Sequence, residues 1–221
     1  MSKTFVIGDI HGCSDLLEEL LEKITPMSKD DTVVFIGDYI DRGPDSKSVI
    51  DTILQLRSEH NRVITLMGNH EFMLLGAIRG YGQNEFLNMG GAATLQSYGI
   101  PLESINDLAA ILPQDHLEFL QDLLPSWEDQ DYIYVHAGLQ PGVHLTQQSP
   151  DWTLWAREKF IDLEYNFYKK VIYGHTPYDK PRIDTNKIGI DTGAVYGNML
   201  TCLILPEMKF IAVENKNNSI T

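Results

Sequence analysis

The sequence predicts an α/β fold built on parallel strands, and three observations lead there. Short apolar, β-branched runs recur at Phe5-Val6-Ile7, Val33-Val34-Phe35-Ile36 and Val63-Ile64-Thr65-Leu66-Met67. Segments with helical spacing lie between them. Each run ends in a glycine-framed polar cluster: Gly8-Asp9-Ile10-His11-Gly12, Gly37-Asp38-Tyr39-Ile40-Asp41-Arg42-Gly43 and Gly68-Asn69-His70-Glu71. A β-α-β-α-β order implies parallel strands joined by right-handed crossovers. Polar groups at the ends of such strands stand where an open α/β sheet gathers its ligand.

The elements follow in order. Leu16, Leu17, Leu20, Leu21 and Ile24 mark one face of a helix over Asp15–Ile24, with Ser14 as N-cap. Thr32–Ile36 is a buried strand. Val49, Ile50, Ile53 and Leu54 give a second helix over Asp45–Leu56, and Val63–Met67 a third strand. From Glu71 to about Pro125 the pattern is helical, broken by Gly80-Tyr81-Gly82, Gly90-Gly91, Pro101 and Pro113, with no strong strand. This stretch, about residues 71–130, reads as a helical insertion that either shapes a cleft or only adds packing. Strands resume at Tyr132–Val135 and Val171–Tyr173, then at Lys187–Ile190, Leu200–Leu205 and Phe210–Val213, the last three spaced as hairpins in a mixed sheet. The polar tail Asn215–Thr221 is expected to fray.

The 221 residues suit a single domain spanning 1–221. With 17 basic against 31 acidic residues the net charge is -14, which argues against nucleic acid or an anionic membrane as partner. A phosphorylated substrate stays open, because bound cations invert the local field. Cys13 and Cys202 are the only cysteines, so no disulfide framework is implied, and Cys13 reads as a small buried filler. Met1-Ser2-Lys3-Thr4 leads straight into a strand, and no run approaches the ~20 apolar residues of a membrane span, so a cytoplasmic location is expected.

Of the 7 histidines, His11, His70, His136 and His175 stand at the carboxyl ends of predicted strands. His60, His116 and His144 do not, and read as ordinary surface or loop residues. Asp9, His11, Asp38, Asn69, His136 and His175 together offer oxygen and nitrogen donors beyond the needs of one tetrahedral zinc. They suit two divalent ions sharing a carboxylate, a device for in-line displacement at phosphorus. His70 can protonate a leaving oxygen, Asp41 can orient that imidazole, and Arg42 can clamp phosphate oxygens. An internal Asp41–Arg42 ion pair pinning the loop is the competing reading. Other chemistries fail on the same residues. A cysteine phosphatase needs an arginine six residues after its nucleophile, where Cys13 has Glu19 and Cys202 has Met208. His70-Glu71 is followed by Phe72-Met73-Leu74, not by the second histidine of a zinc protease, and there is no phosphate-binding Gly-Lys loop.

The three glycine-framed motifs resemble the signatures of the PPP-type phosphoprotein phosphatases, within the wider calcineurin-like metallophosphoesterases. His136-Ala137-Gly138 and Gly174-His175-Thr176-Pro177 are similar to compact bacterial and phage members. The resemblance spans nearly the whole chain. It implies a metallophosphoesterase fold: a mixed β-sandwich flanked by helices with a helical insertion. It also implies two divalent ions, usually Mn²⁺ with Fe or Zn as alternatives. Asp9, His11 and Asp38 would hold one ion, and Asp38 would bridge to a second held by Asn69, His136 and His175. His70 would be the general acid paired with Asp41. Arg42 would clamp phosphate, joined by Arg157 from Trp155-Ala156-Arg157-Glu158. Trp152 and Trp155 are expected in the core. Asn88-Met89-Gly90-Gly91 resembles an Asn-Gly-Gly turn of the family, and Ile190-Asp191-Thr192-Gly193-Ala194 reads as support beneath the site.

The implied enzyme is a metal-dependent protein serine/threonine phosphatase, with phosphotyrosine as a further substrate. Its partner would be a phosphorylated protein or peptide, and a metal-bridging hydroxide would attack phosphorus directly. The alternative is a diadenosine tetraphosphate hydrolase. Many symmetrical ones lack the acid of the Asp41-Arg42-Gly43 triplet, and some asymmetrical ones keep it. A degenerate, non-catalytic scaffold would be expected to have lost ligands, whereas every candidate donor is present here.

Overall fold

The computed structural model describes residues 2–216; the end of the tail expected to fray, residues 217–221, lies outside them. Two five-stranded mixed sheets pack face to face. The first has the order β10-β9-β1-β2-β3: β1 (Thr4–Ile7), β2 (Thr32–Phe35) and β3 (Val63–Thr65) run parallel, and β9 (Met199–Leu205) and β10 (Lys209–Glu214) are antiparallel. The second has the order β4-β5-β6-β8-β7. There β5 (Tyr132–Val135), β6 (Lys170–Tyr173) and β8 (Lys187–Gly189) are parallel, edged by antiparallel β4 (Ser126–Glu128) and β7 (Arg182–Ile183).

The continuous apolar runs are explained by burial on both faces. Val6, Val34 and Ile36 point into the sandwich with Leu203 of the same sheet and meet Tyr134, Ile172 and Ile188 from the facing strands. Their neighbours Phe5, Ile7, Val33 and Phe35 point outward, under helices α1 (Ser14–Ile24) and α2 (Ser46–Glu59). The opposite outer layer packs Val135, Val171 and Tyr173 against Phe160 and Ile161.

Helix α3 (Asn69–Ile78) opens the largely helical stretch that ends at Gln121, and its Leu74 and Leu75 share the outer core with Leu117, Phe119 and Leu120. Several local details depart from the sequence pattern. Asp45, not Ser14, is the side chain that caps a helix, accepting from the Ser48 N–H at 3.0 Å. β4 and β7 are three and two residues long, too short to leave an alternation. Lys187–Gly189 pairs with β6 and β7 in the second sheet, so only β9 and β10 form the expected terminal hairpin. His116 is buried between Tyr98 and Asp51, at 2.7 and 2.9 Å, which corrects its reading as a surface residue. Among the described residues no helix is long and apolar enough to cross a membrane.

Candidate active site

Parallel strands from both sheets end at one edge of the sandwich. β1 delivers Asp9 and His11, β2 delivers Asp38, Asp41 and Arg42, and β3 leads into Asn69 and His70 at the start of α3. β5, β6 and β8 deliver His136, His175 and Asp191. The turns that present these side chains are strained. Among the described residues seven non-glycine residues have positive φ, and His11, Asp38, Asp41, Arg42 and His175 are five of them, with φ from 48° to 71°. Such conformations cost energy and collect where function needs an unusual aim. Two glycines allow the close approach. A Cβ on Gly68 would collide with Asp38 Oδ1 and the Asp38 backbone nitrogen, and one on Gly174 would collide with Asp9 Oδ1.

The donors form two adjoining groups that share Asp38. Asp38 Oδ2 lies 3.4 Å from His11 Nε2 and 3.5 Å from His136 Nε2. On the far side, Asn69 Oδ1, His136 Nε2 and His175 Nδ1 form a triangle with edges of 3.0, 2.9 and 3.2 Å. Backbone carbonyls aim the rings: His11 Nδ1 lies 2.9 Å from the Ile40 oxygen and His136 Nδ1 3.0 Å from the Ile36 oxygen. A proton held on Nδ1 leaves each Nε2 lone pair facing inward, as metal coordination requires. Buried polar atoms without partners point the same way: Asp9 Oδ1, His70 Nε2 and His175 Nε2. This donor set fits divalent cations. Among the described residues two three-residue groups bring their ligand atoms within 4.8 Å of one another: His11, Asp38 and His70, and Asp38, His136 and His175. His70, expected to be an acid, thus stands within reach of one group, while Asp9 lies outside both. Asp9 Oδ2 is fixed by the His175 N–H at 2.9 Å.

The electrostatics describe a carboxylate-rich pocket awaiting positive charge. Burial, then Asp191 and Asp38, pushes the Asp9 carboxyl well above its usual range. Burial opposes ionisation of Asp38 too, but His136, His70, His11 and His175 outweigh it and hold Asp38 low. Burial drives His11 down to about 3. His175 also falls to about 3, through burial and then His136. Neutral imidazoles and one firmly ionised carboxylate are what a metal ligand set needs.

His70 is wholly buried, its Nδ1 2.7 Å from Asp41 Oδ2. Asp41 is itself held by Thr94, whose hydroxyl donates to Oδ1 at 2.5 Å and accepts from the Asp41 N–H at 2.9 Å. Asp41 therefore pairs with His70 rather than with Arg42. Arg42 instead donates to His11 Nε2 at 2.7 Å and lies over the Tyr196 ring, 5.6 Å from its centroid. Arg42, Arg157, Asp38, Asn69, His175 and Asp191 line a cavity of about 150 Å³. Met89, Trp155, Pro177 and Tyr196 complete its wall. Three readings change here. Trp155 is 37% exposed at the cavity and not in the core. Asp191 lines the site instead of supporting it from beneath. The Asn88–Gly91 segment is a helical kink at Gly90, whose carbonyl accepts from the Arg42 N–H at 3.2 Å.

Glu71 completes the frame. Its oxygens accept from the N–H groups of Gly68, Asp38 and Tyr39 at 3.0, 3.0 and 2.8 Å, and from that of Ile40 at 3.3 Å. Burial and then Asp38 push this carboxyl up to about 8, while the converging amides favour its charged form. The sequence signal was present, because Glu71 ends the third motif, but its task of clamping the second motif was not legible.

The sequence profile of the calcineurin-like phosphoesterases matches residues 2–188. The chain belongs to the calcineurin-like phosphoesterase family. Among curated relatives, the asymmetrical bis(5'-nucleosyl)-tetraphosphatase PrpE of Oceanobacillus iheyensis is 30% identical, covering 97% of this chain and 93% of that protein. PrpE of Bacillus velezensis is 29% identical over 95% and 92%. Among solved structures, one provisionally assigned as a diadenosine tetraphosphatase has a TM-score of 0.72 at 24% identity, covering 98% of this chain and 95% of that one. A cold-active protein-tyrosine phosphatase from a psychrophilic Shewanella has 0.70 at 19%, covering 97% and 78%. These structural likenesses carry the fold alone. The calcineurin-like phosphoesterase fold expected from the sequence is therefore the fold observed.

The protein serine/threonine phosphatase expectation is corrected, and the phosphorylated protein or peptide partner falls with it. The curated relatives are named for dinucleoside tetraphosphates instead. The physical reason is that the calcineurin-like motifs supply cation donors, an imidazole and a phosphate clamp. A phosphoryl group presents the same oxygens to them whether its leaving group is a serine or another phosphate.

Proposed function

We propose that this chain is a metal-dependent hydrolase of dinucleoside tetraphosphates that cleaves them asymmetrically. The likeness to the PrpE tetraphosphatases over 97% of the chain carries this reading of the substrate. Water would add across one phosphoanhydride bridge, releasing a nucleoside triphosphate and a nucleoside monophosphate. In this reading residues 1–221 act as one unit, with the helical segment of about 71–130 forming part of the cavity wall.

Asp9, His11, Asp38, Asn69, His136 and His175 would hold two divalent ions, with Asp38 shared. A set of carboxylate, amide and imidazole donors without thiolate suits Mn²⁺, with Fe or Zn as alternatives. Such ions supply acidified water at neutral pH and neutralise charge at phosphorus. Arg42 and Arg157 orient the phosphate oxygens from the cavity wall and offset their charge. His70, aimed by Asp41, gives a proton at Nε2 to the departing oxygen.

Purified protein with Mn²⁺ and diadenosine tetraphosphate, followed by chromatography of the products, tests the reading. ATP with AMP is the expected result. Two molecules of ADP would overturn the asymmetry, and no turnover by metal-loaded protein would overturn the substrate.

A further inference from the structure

A cavity of about 150 Å³ has room for phosphate groups but not for the nucleosides attached to them, so most of a dinucleotide must lie against the rim. That rim is unusually aromatic for a site whose floor is polar. Among the described residues ten large apolar side chains are exposed, and Met89, Trp155 and Tyr196 of those ten line this one small cavity. Trp155 is 37% and Tyr196 59% exposed. Neither has a core to fill. The Trp155 ring meets the His175 ring edge-on at 6.2 Å, and the Tyr196 ring carries the Arg42 guanidinium. Both rings are thus fixed to residues of the phosphate site while remaining open to solvent. Arg157 follows Trp155 by two residues in the same short connection between helices, which ties a cationic clamp to an aromatic plate.

We propose that Trp155 and Tyr196 are the specificity-determining platforms of this site, stacking nucleobases whose phosphates occupy the cavity. This rests on the tetraphosphate-hydrolase reading and supplies what the donor cluster lacks, a means of distinguishing a nucleotide from any other phosphate ester. Stacking on an aromatic side chain tolerates every base, so selectivity falls on the presence of a base and not on its identity. Arg42 over Tyr196 adds a second constraint, since the same ring orients a phosphate clamp and receives a base beside it.

The test compares ATP with inorganic tripolyphosphate as inhibitors of diadenosine tetraphosphate hydrolysis, in wild type, Trp155→Ala, Tyr196→Leu and the ring-keeping variants Trp155→Phe and Tyr196→Phe. Loss of a stacking ring should raise the inhibition constant of ATP by ~5- to 150-fold. That of tripolyphosphate should stay within about twofold, because it has no base to stack. The phenylalanine variants should recover most of the difference. If the ATP and tripolyphosphate constants rise together, the rings only prop His175 and Arg42, and the inference is overturned. Unchanged constants overturn it as well. In both cases wild-type turnover of the dinucleotide leaves the tetraphosphate reading standing. A wild type that does not cleave the dinucleotide removes that reading and the platforms with it.

Discussion

At and beneath the floor of the cavity Asp38, Asn69, His70 and His136 are buried almost completely; the His70 N–H fixes Asp38, Asp41 fixes His70, and the Ile36 carbonyl fixes His136. At the rim Met89, Trp155 and Tyr196 are exposed and stand on a helical kink, a short turn and a single 3₁₀ turn. The floor is built from the ends of parallel strands, where a one-residue shift would misplace every donor. The rim is built from short irregular segments that tolerate change. On the proposed reading the difference separates two tasks: the floor would perform displacement at phosphorus, and the rim would select what is attached to it.

If that division holds, removing the carboxylate shared by the two donor groups should have the largest effect. Asp38→Asn should lower kcat/KM by at least ~10⁴-fold and strip bound metal, because both ions lose a charged ligand. Metal content by plasma emission and turnover, measured on the same sample, check it. Retained metal with retained activity would show that Asp38 is not the shared ligand. Chelation of the wild type should abolish turnover, and Mn²⁺ should restore it.

His70→Ala comes next and tests the floor without removing a donor expected to be essential for metal. General-acid catalysis contributes ~10²–10⁴-fold. The lower end is expected, because a departing phosphate with a pKa of ~6 needs less help than an alkoxide. A fall of ~10²-fold in kcat at full metal occupancy fits the proposed substrate. Loss of metal instead would make His70 a ligand, as its place beside His11 and Asp38 allows. Arg157→Ala tests the boundary between floor and rim. One charge-assisted contact is worth ~1.5–3 kcal/mol, so kcat/KM should fall ~10- to 150-fold. An effect below about twofold would assign the clamp to Arg42 alone.

The same division explains what could be read from the sequence. β1, β2, β3, β5 and β6 were legible because burial on both faces leaves unbroken apolar runs, each closed by a glycine-framed cluster. The floor residues were legible because strand ends and metal chemistry constrain them together. The rim was not. Trp155 looked like a core tryptophan because composition does not reveal exposure. Asp191 looked like support because Asp9, whose carboxyl its charge helps to push up, lies far away in sequence. The substrate expectation failed because it was drawn from floor motifs, which present the same donors to a phosphoryl group whatever lies beyond its leaving oxygen. The helical segment was legible as helix, and its share in the site only as one of two readings, since its links to Asp41 and Arg42 run through Thr94 and the Gly90 carbonyl.

The smallest expected effect asks whether that segment belongs to the floor. Thr94→Val keeps the shape of the side chain and removes the hydroxyl that both donates to Asp41 Oδ1 and accepts from its N–H. Ser46, whose hydroxyl also accepts from that N–H at 3.1 Å, keeps the backbone group satisfied. Asp41 Oδ2 still faces His70, so the dyad should survive with a less constrained carboxylate. The loss of one such bond is worth about 1 kcal/mol. A fall in kcat of ~3- to 10-fold is therefore expected, with a Tm lower by ~2–4 °C. Thr94→Ser should recover both. A lowered Tm with unchanged kcat would make Thr94 a packing residue only and confine the floor to the strand ends. A lowered kcat rescued by serine would extend the floor into the helical segment, and that segment would then orient the acid as well as bound the rim.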